Sequence, residues 1–520
     1  MKLSPLDTLI VLVYLAGVFA LAQWVSREKP GHEKTAKDYF LASKALPWWA
    51  IGASLIAANI SAEQIIGMSG SGYALGLAIA SYEWMAAATL LVVGKFFLPI
   101  FLRNGIYTMP QFLEERYGTR IRTLMAVFWL GLYVFVNLTS ILWLGSLAIV
   151  QVTGMDQMLA LSLLGGFALA YQLYGGLKAV ALTDIVQVSL LVLGGLLVAG
   201  LTLSKIGDGA GIVAGFKTLW ATHPEHFKMI LPPDSPFYKD LPGIGVLVGG
   251  LWVAHVSYWG FNQYIIQRAL AAKDLREAQK GIVFAAILKL VLPIIVVLPG
   301  IAAVMLAPGL ERNDDAYPAM MALLPTGALG LVFAALIAAI VASLASKINS
   351  VATIFTLDFY AKHRPDAPER KLVRIGRITA AVSIVIGILT ARPLLGSFDQ
   401  GFQYIQEYTG FFTPGIVVIF VLGLFWKRAN EAGALAAAVG SLALSIVLKQ
   451  VWPELPFVNR VGVVFVLAAI LAVAVSLLTP SGAGRDRIHT DGVSYATAPS
   501  FNIAAIAVLA ILVALYTLFW

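Results

Sequence analysis

The sequence predicts an all-α polytopic membrane protein of about 14 transmembrane helices, each able to cross the hydrocarbon layer. Three observations carry that expectation. Charged residues are only 12% of the 520-residue chain and hydrophobic residues 59%, with a mean hydropathy of +0.84, whereas a soluble chain carries roughly 25% charged residues. The apolar residues gather in runs of about 20, the length a membrane-spanning helix needs. Lysines and arginines concentrate in alternate connections between these runs, as the positive-inside rule demands of cytoplasmic loops.

The runs are 6–25, 48–71, 76–101, 122–150, 157–174, 181–203, 244–267, 281–306, 327–358, 373–391, 399–424, 432–449, 460–479 and 500–520. The first run resembles a signal peptide, but its positive charges follow it, at Arg27, Lys29, Lys34, Lys37 and Lys44. A signal peptide carries them in front. It is therefore expected to be a span with its N-terminus outside, which leaves both termini extracytoplasmic in an integral plasma (bacterial inner) membrane protein. Basic segments at Arg103–Arg122, Arg268–Lys280 and Lys362–Arg377 then face the cytoplasm, and the acidic stretch Glu311–Asp315 faces outward.

The second run cannot be one regular helix. In SLIAANISAEQIIGMSGSG, Ser54 to Gly72, the residues Asn59, Ser61, Glu63, Gln64 and Ser69 interrupt the apolar pattern, and three glycines loosen the backbone. Short polar side chains compete for backbone hydrogen bonds. Irregular backbone at membrane depth is tolerated only where it is buried in protein or lines a wet cavity. Either a ligand site or a tightly packed helix contact satisfies that condition. The third run carries Glu83, and the sixth starts near Asp184. The connection from Lys205 to Leu241 is rich in Gly, Pro and aromatic residues and suits either a cap or a linker. The seventh run is interrupted like the second, at GLWVAHVSYWGFNQYIIQR, with His255, Ser257, Asn262 and Gln263.

Five runs separate the two interruptions, so the chain divides into a leading helix and cytoplasmic linker (1–47), a first five-helix repeat (48–203), an extracytoplasmic loop (204–243), a second five-helix repeat (244–424) and three trailing helices (425–520). Broken spans at matching positions in two halves point to inverted repeats with a substrate site at the midplane.

Ionisable residues within spans are functional candidates by default. Glu83 and Lys289, in the third and eighth runs, suit either a substrate site or a structural ion pair. Ser343, Ser346 and Ser350 recur at helical spacing in the ninth run and suit helix packing or an ion. Asp184 and Lys347 fit the inner interface equally well, and Gln403 or Glu407 the outer water. Amides, a carboxylate, an ammonium and flat aromatic rings together match a polyhydroxylated solute.

Several classes are disfavoured. There is no cysteine, hence no thiolate nucleophile and no iron–sulfur ligand set. Only His255 of six histidines falls in a run, whereas haem or quinone oxidases need axial histidine pairs. The net charge of +8 follows from membrane topology, so no nucleic acid is expected, and neither is an enzyme or an organic cofactor. The lipid bilayer is the expected surrounding, and the oligomeric state is open.

The motifs DYFLASKALPWWAIGASLIAANISAEQIIGMSGSGY, YGGLKAVALTDIVQV, YWGFNQYIIQRALAAK, FQYIQEYTG and SFNIAAIAVLAILVALYTLFW resemble the sodium–solute symporter family over nearly the whole chain, specifically its sodium/glucose cotransporter branch and above all the bacterial sodium/galactose symporters. The resemblance implies a leucine-transporter-type core of two inverted five-helix repeats, with inward sodium flow coupled to uptake of a monosaccharide, a hexose of the glucose or galactose type. It places Gln64, Glu83, Lys289 and Gln406 at the sugar, Tyr258 and Trp259 on its inner side, and Met68, Tyr82 and Phe402 at an outer gate. Sodium is implied at Ala57, Ile60, Ala339 and Ser343, with Asp184 on its way out.

Three positions depart from those symporters. His255 stands in place of an asparagine at the sugar, Ala86 in place of a serine there, and Ala342 in place of a second serine at the ion. The first two put galactose preference in question and the third the strength of sodium coupling. A proton-coupled symporter, or a weakly coupled transporter or sensor of another polyol such as inositol, is the alternative.

Overall fold

The computed structural model describes residues 3–25, 46–106, 108–396, 401–480, 488, 490 and 492–520, with no side chains at 174–184. Every regular element among them is helical, and one isolated bridge joins Leu46 to Ala272. Ten described helices are long and apolar enough to cross a membrane, and the pair Gly401–Thr409 and Thr413–Phe425, bent by 47°, adds an eleventh. The expected count of about 14 is thus not fixed by length and hydropathy. The expected second and seventh spans are broken, and Gln157–Leu173 is short.

The leading helix α1 (Pro5–Val25) is followed by the first broken span, α2 (Trp48–Asn59) and α3 (Ser69–Leu75), joined through a π-helical turn at Glu63–Met68. Then come α4 (Ser81–Val92), α5 (Thr119–Gly131), α6 (Gln157–Leu173) and α7 (Ile185–Ile206). The second broken span comprises α8 (Gly250–Val256), a π-helical turn at Ser257–Phe261, and α9 (Gln263–Leu270). The long helices α10 (Leu275–Leu306) and α11 (Ala328–Thr353) follow, then the short α12 (Gly401–Thr409).

Helix α10 packs against both halves of the first broken span, and glycine makes the approach possible. A methyl group at Gly281 would lie 2.7 Å from Ile51 Cγ2, and one at Gly300 would lie 2.1 Å from the Ser69 carbonyl oxygen. Small residues at a helix contact let backbones close together without lipid between them. Trp84 Nε1 donates to the Leu290 carbonyl at 3.2 Å and fixes α4 to the same helix.

Helix α11 is buried along its length. Leu164 of α6 and Ile340 of α11 both reach Gly145, Gln172 donates to Asn349, and Gly194 of α7 faces Val332. Along α6 the contacts move toward the C-terminal end of α11, and at α7 they have returned to its N-terminal end.

Asp7 Oδ1 accepts the backbone N–H groups of Gly327 and Gly330 at 2.7 and 2.8 Å, where the start of α11 favours a negative charge. Tyr73 bonds through its carbonyl to His226 and through its hydroxyl to Gly309 N–H, and Met229 N–H donates to the Phe519 carbonyl at 2.7 Å. Both chain ends thus lie on the face that carries the 204–243 connection.

Candidate functional site

The first break begins at Ile60, whose backbone leaves the helix at φ −69° and ψ 115°. Ser61 N–H turns to Gln64 Oε1 at 3.2 Å, its hydroxyl joins the same oxygen at 3.0 Å, and Glu63 N–H donates to that hydroxyl. Buried backbone groups must be paired somewhere. Here the polar side chains provide the pairing, and the Ala57 and Ala58 carbonyls lose their helical donors. Ala58 O instead accepts the Ser343 hydroxyl of α11 at 3.2 Å.

At the second break Asn262 is extended, at φ −86° and ψ 120°. The Tyr133 hydroxyl donates to Asn262 Oδ1 and accepts Gln263 N–H at 3.0 Å, and Gln263 Oε1 accepts Met109 N–H at 2.8 Å.

Between the breaks lies a cavity open at its mouth. Its lining includes Gln64, Tyr82, Glu83, His255, Tyr258, Trp259, Lys289, Phe402 and Gln406, together with Asn59, Trp129, Ser257, Asn262, Thr409 and Thr413. The sequence-derived sugar and gate residues therefore converge, except Met68, which is buried but does not line the cavity.

A polar chain crosses the cavity wall. Lys289 Nζ lies 2.5 Å from Glu83 Oε2 with both side chains at most 2% exposed. The ammonium also donates to Asn59 Oδ1 and sits 4.9 Å from the Trp259 ring. Asn59 Nδ2 donates to the Tyr258 hydroxyl at 3.0 Å. One connected set of groups thus spans the first break, α4, α10 and the second break. The Tyr82 hydroxyl and His255 Nε2 are buried without a hydrogen-bond partner among the described residues, and both residues line the cavity. Tyr82 and Phe402 meet edge to face at 5.0 Å and 89° and close the cavity at that point.

The residues implied for the ion, Ala57, Ile60, Ala339, Ala342 and Ser343, are all buried, and the Ser343–Ala58 bond brings α11 to the first break. Lys347 corrects the interfacial reading: it is fully buried, donates to Ser343 Oγ at 2.9 Å and lies 4.2 Å from the Tyr264 ring. The Asp184 side chain lies outside the described residues. Glu407 does not simply face the outer water; it bridges Arg460 and Lys449 at 2.9 Å each. Ser346 and Ser350 bond to Arg268 and Gln267 of the second broken span.

Sequence reasoning missed Tyr133 and Arg268, because nothing local marks a tyrosine in an apolar run or an arginine at its end as a partner of distant backbone. Arg268 is fully buried and reaches the Ser54 carbonyl at 3.1 Å. It also passed over His223, Glu225 and His226, whose ligand atoms lie within 4.8 Å of one another on the 204–243 connection, away from the cavity.

The model of the sodium:solute symporter family matches residues 39–440. The chain is 50% identical to a sodium/glucose cotransporter of Vibrio parahaemolyticus, over 100% of this chain and 99% of that protein. It is 34% identical to the human sodium/myo-inositol cotransporter 2, over 86% of this chain and 70% of that one. Among solved structures it is similar to a substrate-bound outward-open Na+-coupled sialic acid symporter, with a TM-score of 0.79 at 23% identity, covering 92% of this chain and 99% of that one. It also resembles the nucleobase-cation-symport-1 family transporter Mhp1, with a TM-score of 0.53 at 15% identity, covering 88% and 98% of the two chains. These likenesses assign the leucine-transporter-type fold.

Proposed function

The chain belongs to the sodium:solute symporter family, and on that premise we propose that it is a secondary active symporter, not an enzyme, coupling inward sodium flow to uptake of a hexose by alternating access. The carrying observation is the Glu83–Lys289–Asn59–Tyr258 chain facing a cavity that the Tyr82 hydroxyl and His255 also line. The 50% identity to a sodium/glucose cotransporter over the full chain supports a sugar of that kind.

In this reading Gln64, Glu83, His255, Lys289 and Gln406 hydrogen-bond the sugar hydroxyls, with Glu83 accepting and Lys289 donating. Tyr258 and Trp259 cover the inner side, and Tyr82, Phe402 and Met68 form the outer gate. Sodium is held by backbone carbonyls of Ala57, Ile60 and Ala339 with the Ser343 hydroxyl, beside Ala342, and draws α11 against the first break. That completes Gln64 and Asn59 on the sugar side, and sugar then closes the outer aromatics. On the inward-facing side sodium leaves past Asp184 and Tyr258 yields. The chain ends and the 204–243 connection face the outside of a bacterial inner membrane.

The driving force is sufficient. One charge crossing 100 mV yields about 2.3 kcal/mol, and a tenfold sodium gradient adds about 1.4 kcal/mol. At one-to-one coupling their sum sustains roughly a 500-fold sugar gradient.

The test is uptake of labelled glucose, galactose, myo-inositol and sialic acid into proteoliposomes with and without an inward sodium gradient. Accumulation of a hexose above equilibrium only with sodium is expected. Accumulation of myo-inositol alone would redirect the substrate, and uptake lost to a proton uncoupler but indifferent to sodium would overturn the coupling ion. Replacing His255 with Asn should change the galactose-to-glucose ratio by about twofold to tenfold, the scale of one altered hydrogen bond.

A further inference from the structure

We propose that Lys347 is a tethered cation that competes with sodium for the site between α2 and α11 and thereby sets the sodium concentration the transporter needs. The inference rests on the ion position given under the proposed function and adds a residue that reading does not use. Lys347 follows Ser343 by four residues, so both lie on one face of α11. Its ammonium donates to Ser343 Oγ at 2.9 Å, and that hydroxyl donates in turn to the Ala58 carbonyl freed by the break, at 3.2 Å. The only side-chain oxygen among the implied ion ligands is therefore already engaged by a positive charge. Residue 342 offers no second hydroxyl, and its carbonyl accepts Ser346 Oγ at 2.8 Å.

The charged groups around Lys347 define what it can do. Glu63, in the turn that follows the first break, is its attractive partner, and Arg268 of α9 repels it. Glu63 Oε1 also accepts the Ser140 hydroxyl at 2.5 Å. Two positive charges a few ångströms apart, with neither reaching water, repel strongly. Sodium can settle at Ser343 only if the ammonium withdraws, and its flexible four-carbon stem allows withdrawal toward Glu63. Glu63 adjoins Gln64, so the exchange of one cation for another is felt in the turn that supplies the sugar-side amide.

The test compares the wild-type full chain with Lys347→Met, which keeps the length of the side chain and removes its charge, and with Lys347→Gln, which keeps a donor. Two quantities are read: equilibrium binding of radiolabelled sodium to the purified protein, and the sodium concentration for half-maximal hexose uptake in proteoliposomes. The sodium dissociation constant and the half-saturating sodium concentration should both fall by about tenfold or more in each neutral variant, the scale of removing a nearby like charge, while Lys347→Arg stays near wild type. If wild-type uptake is sodium-dependent and a folded neutral variant keeps the wild-type half-saturation in both readouts, the inference falls and the proposed function stands. If wild-type uptake ignores sodium while Lys347→Met acquires a dependence, the tethered cation is supported and sodium coupling in the native protein is overturned.

Discussion

Truncating Glu83 to alanine leaves the Lys289 ammonium buried with only Asn59 Oδ1 and the Trp259 face, 4.9 Å away, as partners. Both are already in place in the wild type, so neither offsets the loss. Removing one member of a buried ion pair costs about 3–5 kcal/mol, and here the pair is 2.5 Å apart with exposures of 1% and 2%. Glu83→Ala should therefore melt well below wild type by fluorescence-detected size exclusion, and hexose uptake should disappear. The double variant Glu83→Met/Lys289→Met decides what the pair is for. Replacing a buried pair by apolar residues of similar volume is often neutral or stabilising by about 1–4 kcal/mol, so its melting temperature should return to wild type or above. Transport should not return, because the acceptor and donor facing the cavity are gone. A double variant that transports normally would show the pair to be structural only, and an unaltered melt and uptake in Glu83→Ala would refute the energetic reasoning itself.

Other outcomes follow from the same geometry. Ser343→Ala removes the hydroxyl between Lys347 and Ala58 and should raise the sodium needed for half-maximal uptake by about twofold to tenfold; an unchanged value moves the ion elsewhere. Tyr133→Phe removes the hydroxyl that bonds both Gln263 N–H and Asn262 Oδ1 at the second break, so thermal denaturation should report a loss of about 1–3 kcal/mol, and wild-type melting would show that the second break does not depend on it. At the Glu114 cluster burial works to raise the carboxyl's pKa, but Lys362 and Arg122, at 2.7 and 3.1 Å, outweigh it and hold it below its ordinary 4.5. A depressed carboxyl contributes stability above its unfolded pKa and loses it as pH falls through the folded one. The wild type should therefore lose more stability than Glu114→Gln as the pH drops below about 4.5, by about 1 kcal/mol or less for so exposed a cluster; parallel melting curves would discount the cluster.

The helical architecture and both breaks were legible because membranes make sequence patterns blunt: an amide or serine inside an apolar run has few places to go. Ser61, Gln64 and Asn262 announce their irregular backbone in this way, and Glu83 and Lys289 stand out as charges in spans. Their pairing was one of two readings the sequence left open, since the two are 206 residues apart and meet only through the packing of α4 on α10. Lys347 reads alike as a residue near the inner water or as an interior cation; the length of α11 and the helices around it decide. The Asp7 contacts with Gly327 and Gly330 were equally hidden, because a leading helix carries no mark of the distant turn it will secure. Length and hydropathy leave the count of about 14 spans open at the breaks themselves, where the second half of the first break runs on within Glu63–Arg103.

The glycine seam along α10 has a mechanical consequence. With Gly281 and Gly300 against the first broken span and Trp84 bound to Leu290, Asn59, Gln64, Glu83 and Lys289 are mounted on one chassis. On the proposed function, a sugar held by these four keeps that part of its grip as they move together. The proposed cation position, by contrast, lies on a fault line, with carbonyls from α2 on one bank and Ser343 from α11 on the other. Slippage between the two would pull such a coordination apart, which ties the ion's departure to the swing of the carrier.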